Sequence, residues 1–285
     1  MSLRGKLEIV NLTHEGMKRP HNEDSSVTDA RLGFAVIADG MGGYKAGEVA
    51  SAIAVTTILQ VVQEGLKSLP AGRVEEGGYS PQSQLLRKAI SEANHLIFST
   101  ANNEEQCQGM GTTVVAMLFY DNRYSVAHVG DSRLYRLRDG NLEIITTDHS
   151  LIQELIDRGF YTPEEAAENT PKNLVTRALG IDEQVEVDVQ EDAAMPGDIY
   201  LLCSDGLNDM VNDEEIHLTL SKYSANLVEA GNELVNKANA HGGKDNISVI
   251  LIRPTQAFPA RAGWYTKLFG WLNNRSSDRT ELWQN

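Results

Sequence analysis

Four aspartates share one local context: Asp39 in VIADGMGG, Asp131 in AHVGDSR, Asp205 in LLCSDGL and Asp245 in GGKDNISVI. Each stands at the end of an apolar run beside Gly or Asn, where the backbone turns sharply and a ligand can come close. Glu23 and Asp24 lie just ahead of the run that ends on Asp39. Strand ends converge in space even when far apart in sequence, so these acids can form one cluster. Without a positive partner such a cluster repels itself and must take up protons. Hard, oxygen-preferring ions such as Mg²⁺ or Mn²⁺ turn it into a binding site. Two such ions roughly 3.5 to 4 Å apart lower the pKa of a shared water and clamp an in-line displacement at phosphorus, which is phosphoester hydrolase chemistry. The nonbridging phosphate oxygens then need a fixed cation. Arg19 in KRPHNED is close in sequence to the acid pair, and its fork grips phosphate through two bonds. Taken singly, an Asp-Gly pair is a turn, Glu23 or Asp24 a cap, and Arg19 a surface charge. Their joint occurrence in matching settings points to a site.

The elements that must hold these groups are short, β-branched runs bounded by turn residues: 33–39, 112–120, 124–130, 133–137, 185–189, 199–205 and 246–252. Asp121-Asn122 and Asp139-Gly140 are hairpin dipeptides, which predicts antiparallel pairing over much of the sheet. A helix from near Gly47 to about Gln63 is apolar on nearly every side and is expected to be covered on more than one face. A second opens on Ser80-Pro81 and carries Leu85, Leu86, Ala89, Ile90, Ala93, Leu96 and Ile97 on one stripe. A third follows Ser224. Residues 151–175 pair an amphipathic helix (LIQELIDRG) with a polar one (PEEAAENTP) between two motif-bearing stretches, and read as a flap beside the site. Strands in blocks with helices between the blocks predict α+β layering with helices outside stacked sheets.

Composition narrows the function. With 25 Lys plus Arg against 40 Asp plus Glu the chain carries −15, so a nucleic-acid backbone is repelled. Cys107 and Cys203 lie far apart with no metal-ligand spacing, as expected of two buried thiols in a reducing compartment. The N-terminus lacks the apolar core of a signal peptide, and no stretch reads as a membrane span; the expectation is a cytoplasmic protein.

The motif series RPHNED (19–24), ADGMGG (38–43) with AGE at 46–48, GMGTT (109–113), VGDSRLYR (129–136), TTDHS (146–150), TRALG (176–180), LLCSDGL (201–207) and GGKDNISVI (242–250) resembles the metal-dependent protein phosphatase 2C (PPM) family in its compact bacterial serine/threonine phosphatase form. The resemblance implies a four-layer αββα sandwich of two antiparallel sheets flanked by helices, over residues 1–254, with two or three Mn²⁺ or Mg²⁺ in a cleft at one end. It implies that Asp39 bridges two ions, that Gly40 offers its carbonyl, that Asp205 and Asp245 complete the other ion, and that Glu23 and Asp24 act through metal-bound water. Asp131 resembles the ligand of a third metal, sharing Asp205, and Arg19 the phosphate-binding arginine. The implied reaction is hydrolysis of phosphoserine and phosphothreonine in proteins by a metal-bridging hydroxide, and the implied partners are phosphorylated proteins, a serine/threonine kinase among them.

Two positions depart from the family. Met41 stands where some members carry a histidine proposed as general acid, and Tyr44 where bacterial relatives often have His. No general acid is assigned. Among the histidines, His128 is expected to be packed and hydrogen-bonded, His149 to order the turn entering the flap, and His21 to lie between Arg19 and the acids. Residues 255–285 form a basic, amphipathic tail in which Trp264, Leu268, Phe269, Trp271 and Leu272 fall near one helical face. From residue 258 four basic residues oppose two acidic ones, so the tail carries +2 and the remaining chain −17. It is expected to dock on its own domain, on a partner groove or on a membrane surface. Two other functions share the metal core: a non-catalytic phosphoprotein-binding regulator on the same fold, and a hydrolase of small phosphoesters.

Overall fold

Successive side chains of a strand point to opposite faces, so the near-continuous apolar runs at 33–39, 112–120, 199–205 and 246–252 are apolar on both, and that forces cover on both sides of each sheet. In a computed structural model, which describes residues 2–43, 45–69, 78–171 and 174–258, the first sheet contains β1 (Leu7–His14), β7 (Arg133–Arg138), β8 (Asn141–Ile144), β10 (Ile199–Cys203) and β11 (Ile247–Pro254), in the order β1-β11-β10-β7-β8. The second contains β2 (Asp24–Asp29), β3 (Phe34–Met41), β5 (Val114–Tyr120), β6 (Arg123–Val129) and β9 (Asp188–Ala193), in the order β2-β3-β5-β6-β9, with the two-residue β4 (Gly111–Thr112) against β3. Every strand pair in both sheets is antiparallel.

The two faces of β3 show the layering. Ala35 and Ile37 point between the sheets with Val115, Met117, Tyr124, Tyr200 and Ile250. Phe34, Val36 and Ala38 point outward onto α1 (Ala46–Ser68) and α2 (Pro81–Asn103). On the other side α6 (Asp213–Lys222) and α7 (Leu227–Ala240) cover Leu201, Cys203, Val249 and Leu251. The result is the αββα sandwich. The flap holds α3 (Leu151–Asp157) and α4 (Pro163–Asn169), and α5 (Asp205–Asn208) is a single turn after β10.

Local signals account for most boundaries. Ser80 accepts from the Ser83 N–H with proline at the first helical position, so α2 begins where capping dictates. Asp121, Asn122 and Asp139 all have positive φ, as their hairpin turns require. The edge strands β1, β2 and β8 carry few fully buried residues and were not predicted; their partners impose them. The run 185–189 becomes strand only from Asp188. Leu96 on the predicted α2 stripe is 47% exposed. Contrary to the expectation that no stretch reads as a span, α1 is long and apolar enough to cross a membrane by length and composition, yet Ala50, Ala54, Ile58 and Val62 are buried against β3 and α2. Tyr44 and the predicted helical face at residues 264–272 lie outside the described residues.

This topology decides where the acids go. β3 and β6 both pair antiparallel with β5, so Asp39 near the end of β3 and Asp131 after β6 lie at the same end. β10 and β11 are antiparallel neighbours, which puts Asp205 just past one beside Asp245 just before the other. β1 ends where β11 begins, and the 15–23 loop therefore emerges at that end too.

Candidate active site

A cleft of about 270 Å³ at this end is lined by Arg19, Glu23, Asp39, Gly40, Met41, Gly42, Thr113, Asp131, Val175, Asp205 and Asp245. Seven of the eight sequence-predicted site residues thus converge on one space. The eighth, Asp24, lies behind it: the β2–β3 register sets Asp24 directly opposite Asp39, and its carboxyl is buried. Met41 has no titratable proton, so no side chain there can serve as general acid.

Charge crowding shows in the protonation of the cluster. Burial pushes the Asp39 carboxyl well above the usual carboxylate range, and the neighbouring Asp24, Asp205, Asp131 and Asp245 add to it. Asp205 is raised in the same way, by burial first and then by Asp131 and Asp245. Asp24 is pushed up to about 6 by burial, against the hydrogen bonds that favour its charge. Asp131 reaches about 6 through burial and then the proximity of Asp148. Glu23 is raised mainly by burial. Arg19 is the cation of the cleft lining, and its Nη2 donates to Asp245 Oδ2 at 2.6 Å.

Whether metal ions suit this cluster can be judged from its oxygens. Asp24 Oδ1 and Asp205 Oδ1 are buried with no hydrogen-bond partner. Bare carboxylate oxygens facing like charges are costly alone and suited to a hard divalent cation. All the donors are oxygens, with no Cys or His among them, which matches Mg²⁺ or Mn²⁺. The residues present fit the ions that the sequence implied.

Several contacts that hold the cluster were not visible in the sequence. The Asp39 N–H donates to Thr113 Oγ1 at 3.1 Å, and the Thr113 N–H returns a bond to the Asp39 carbonyl at 2.9 Å. Thr113 Oγ1 also shares a 2.7 Å hydrogen bond with Ser132 Oγ, tying Asp39 to the turn that carries Asp131. Gly130 at φ +103 makes that turn possible, because a Cβ there would lie 2.6 Å from the Thr113 Cβ. Ser204 Oγ donates to Asp24 Oδ2 at 2.8 Å. The Glu23 carbonyl accepts from Ser51 Oγ at 2.6 Å and from the Gly40 N–H at 3.2 Å. Gly47 lets the Glu23 carboxyl rest at the start of α1, where the helix dipole favours a negative charge. Serine and threonine are too common for type alone to reveal such roles, although Gly47 and Thr113 both fall inside quoted motifs.

Around Asp131 the motifs interlock. Arg133 of VGDSR holds Asp148 of TTDHS through the Nε–Nη2 edge of its guanidinium at 2.7–3.0 Å. The His149 N–H donates to the Gly130 carbonyl, and His149 Nδ1 accepts from the Gly130 N–H, each at 3.0 Å. His128, 1% exposed, bonds the Thr147 carbonyl through Nε2 and stacks on His149. His128, His149 and Asp188 place ligand atoms within 4.8 Å of one another. However, Arg177 Nη1 already lies 2.8 Å from Asp188 Oδ1 and 3.0 Å from His149 Nε2, so a cation fills that position and the group is structural. The flap is closed at its neck by the Ser150–Val175 bridge and the Leu151 N–H to Leu174 carbonyl bond, which leaves Val175 in the cleft wall.

Known proteins place the chain. The model of the family described as protein phosphatase 2C matches residues 17–245. A serine/threonine phosphatase stp of Listeria welshimeri is 39% identical over 243 residues, 84% of this chain and 93% of that protein. The serine/threonine phosphatase PstP/Ppp of Mycobacterium tuberculosis superposes with a TM-score of 0.78 at 37% identity, covering 88% of this chain and 99% of that one. A structure of the PstP catalytic domain in complex with two manganese ions superposes at 0.74 with 37% identity, over 87% of this chain and 97% of that one.

Proposed function

The chain belongs to the protein phosphatase 2C family, and from that premise we propose that it is a metal-dependent protein serine/threonine phosphatase whose catalytic body is residues 1–254. The observation that carries this is the meeting of Asp39, Asp131, Asp205 and Asp245 with Arg19 in one cleft, beside buried carboxylate oxygens that have no partner. Asp39, Asp205 and Asp245 with the Gly40 carbonyl would hold two Mn²⁺ or Mg²⁺, Asp131 with Asp205 would hold a third, and Glu23 and Asp24 would order the surrounding water. Bound there, the ions supply a water nucleophilic at neutral pH and charge neutralisation for the phosphate, the requirements of an in-line displacement.

The protein's own groups do the rest. Arg19 grips the nonbridging oxygens of the phosphoryl group through its two-pronged fork. Thr113 fixes the Asp39 backbone and Ser204 holds the Asp24 carboxylate by hydrogen bonds, so both residues stay placed during the reaction. Substrates are phosphorylated proteins, and a serine/threonine kinase is a natural one because phosphorylated kinases carry the same ester. Buried free thiols at Cys107 and Cys203 support a place in the cytoplasm. The tail would engage a partner or membrane surface without taking part in catalysis.

Rates on a phosphothreonine peptide and on free small phosphoesters, with Mn²⁺ added or chelated, test the reading. Manganese-dependent hydrolysis that favours the peptide is expected. Binding of the phosphopeptide without turnover would overturn it in favour of a regulator, and preference for the small ester in favour of a small-molecule hydrolase.

A further inference from the structure

One buried amide holds both sides of the loop that carries Arg19. Asn246 is 3% exposed, and its side chain reaches three backbone groups. Its Oδ1 accepts from the Glu23 N–H at 2.7 Å, while its Nδ2 donates to the Glu15 carbonyl at 3.0 Å and to the His21 carbonyl at 2.9 Å. These partners lie four residues before Arg19, two after it and four after it. One acceptor and two donors are an amide's chemistry, which neither a carboxylate nor a hydroxyl supplies. The same residue is bonded to its metal-site neighbour, since the Asn246 N–H donates to Asp245 Oδ1 at 2.8 Å.

Arg19 itself is weakly held: its side chain is 46% exposed, and its guanidinium bonds the Asp245 carboxylate. Its aim therefore depends on the backbone that presents it. That backbone is fixed to the head of β11 by Asn246, with one further bond from the Met17 N–H to the Gly243 carbonyl. On the reading of this cleft as a phosphatase site, we infer that Asn246 is a positioning residue for phosphate binding, acting through Arg19. Its removal takes away the bonds nearest Arg19, leaving the loop held by Met17 ahead of it and the Glu23 carbonyl behind it, and lets the guanidinium drift from the phosphoryl position.

The test is a double-mutant cycle on the full chain with Mn²⁺. Asn246→Ala and Asn246→Asp are compared with wild type for kcat and KM on a phosphothreonine peptide, and for binding of inorganic phosphate by calorimetry. Each variant is expected to raise KM and weaken phosphate binding about tenfold, the usual size of an outer-shell effect, with kcat changed less than about threefold. In an Arg19→Ala background the same substitutions are expected to change neither quantity, because the group they position is gone. Undiminished effects in that background, loss confined to kcat, or failure of both variants to fold would each overturn the positioning role. An inactive wild type that still binds phosphate in an Asn246-dependent way would refute the phosphatase reading and leave this inference standing.

Discussion

Arg19 Nη2 donates to Asp245 Oδ2 at 2.6 Å, joining two residues 226 positions apart. The arginine thus waits beside the acids as their counter-charge and can exchange that partner for phosphate. Arg19→Ala is expected to lower kcat/KM on a phosphopeptide by about tenfold to a hundredfold, the worth of a charged hydrogen bond, mainly through KM. Arg19→Lys should recover only part of it, since an ammonium lacks the fork. Steady-state kinetics decide it, and an unchanged KM would remove Arg19 from the phosphate site.

The pH dependence of stability should run opposite to that of most carboxylates. Asp24 and Asp131 are raised to about 6, and Asp39 and Asp205 are raised well above the usual carboxylate range by burial first and then by neighbouring aspartates. Between about pH 4 and 6 the folded chain then holds more protons than the unfolded one, so these groups destabilise as pH rises. In chelator, their stabilising contribution is full below about pH 4 and is lost through about pH 6. Melting curves across this range should show the loss, and saturating Mn²⁺ should restore the melting temperature near neutrality.

Asp205→Asn should separate activity from stability. Turnover is expected to fall at least about a hundredfold. In chelator the variant should melt higher, because one buried like charge is gone; each kcal/mol corresponds to about 2–4 °C for a chain of roughly this size. A lower melting temperature in chelator would contradict the crowding of charge described here.

Gly47→Ala tests the sign of a usually stabilising change. In most helices it gains about 0.5–1 kcal/mol. Here the new Cβ would sit 2.8 Å from Glu23 Oε1 and 2.8 Å from the Gly40 carbonyl carbon. Denaturant titration should instead show a loss of about 1–3 kcal/mol, typical of overpacking.

Phe258→Ala should weaken the fold and spare the chemistry. Phe258 is fully buried, meets Phe119 edge-on at 6.1 Å, and donates its N–H to Asn122 Oδ1. This hairpin is at the far end of the sheets from Asp39. A loss of about 3–5 kcal/mol with unchanged kcat is expected. Deleting residues 259–285 should alter neither, as measured by melting and by turnover.

The parts of the site legible in the sequence were those with a steep local contrast. A strand-forming run that stops on an acid beside glycine is by itself a turn, but its recurrence at Asp39 and Asp205 with Asp131 and Asp245 in like settings marked a site, and eight motifs in order implied the fold. Asp24 was read as a site acid, but its position behind Asp39 follows from a register that DSSVTD, with Val27 as its apolar residue, does not announce. Thr113, Ser204 and Asn246 fall inside quoted motifs, but their roles stayed hidden because each acts on a partner distant in sequence or through backbone groups. The flap helices were legible from the amphipathic LIQELIDRG and the polar PEEAAENTP, and the structure adds their Ser150 and Thr162 caps, whereas α6 shows only a modest apolar stripe and takes its place from the sheet it covers.

The pairing of β1 with β11 has a consequence for how the protein comes into being. The strand that follows Asp245 is zipped between β1 and β10, so the loop bearing Arg19, although its far end is already tied to β3 through Asp24, lacks its anchor and its acidic partner until that strand exists. A nascent chain still lacking residues 245–254 could fold its first helix layer and remain chemically silent on the ribosome. Competence would then arrive in one step late in synthesis, which guards the cell against partly made hydrolases.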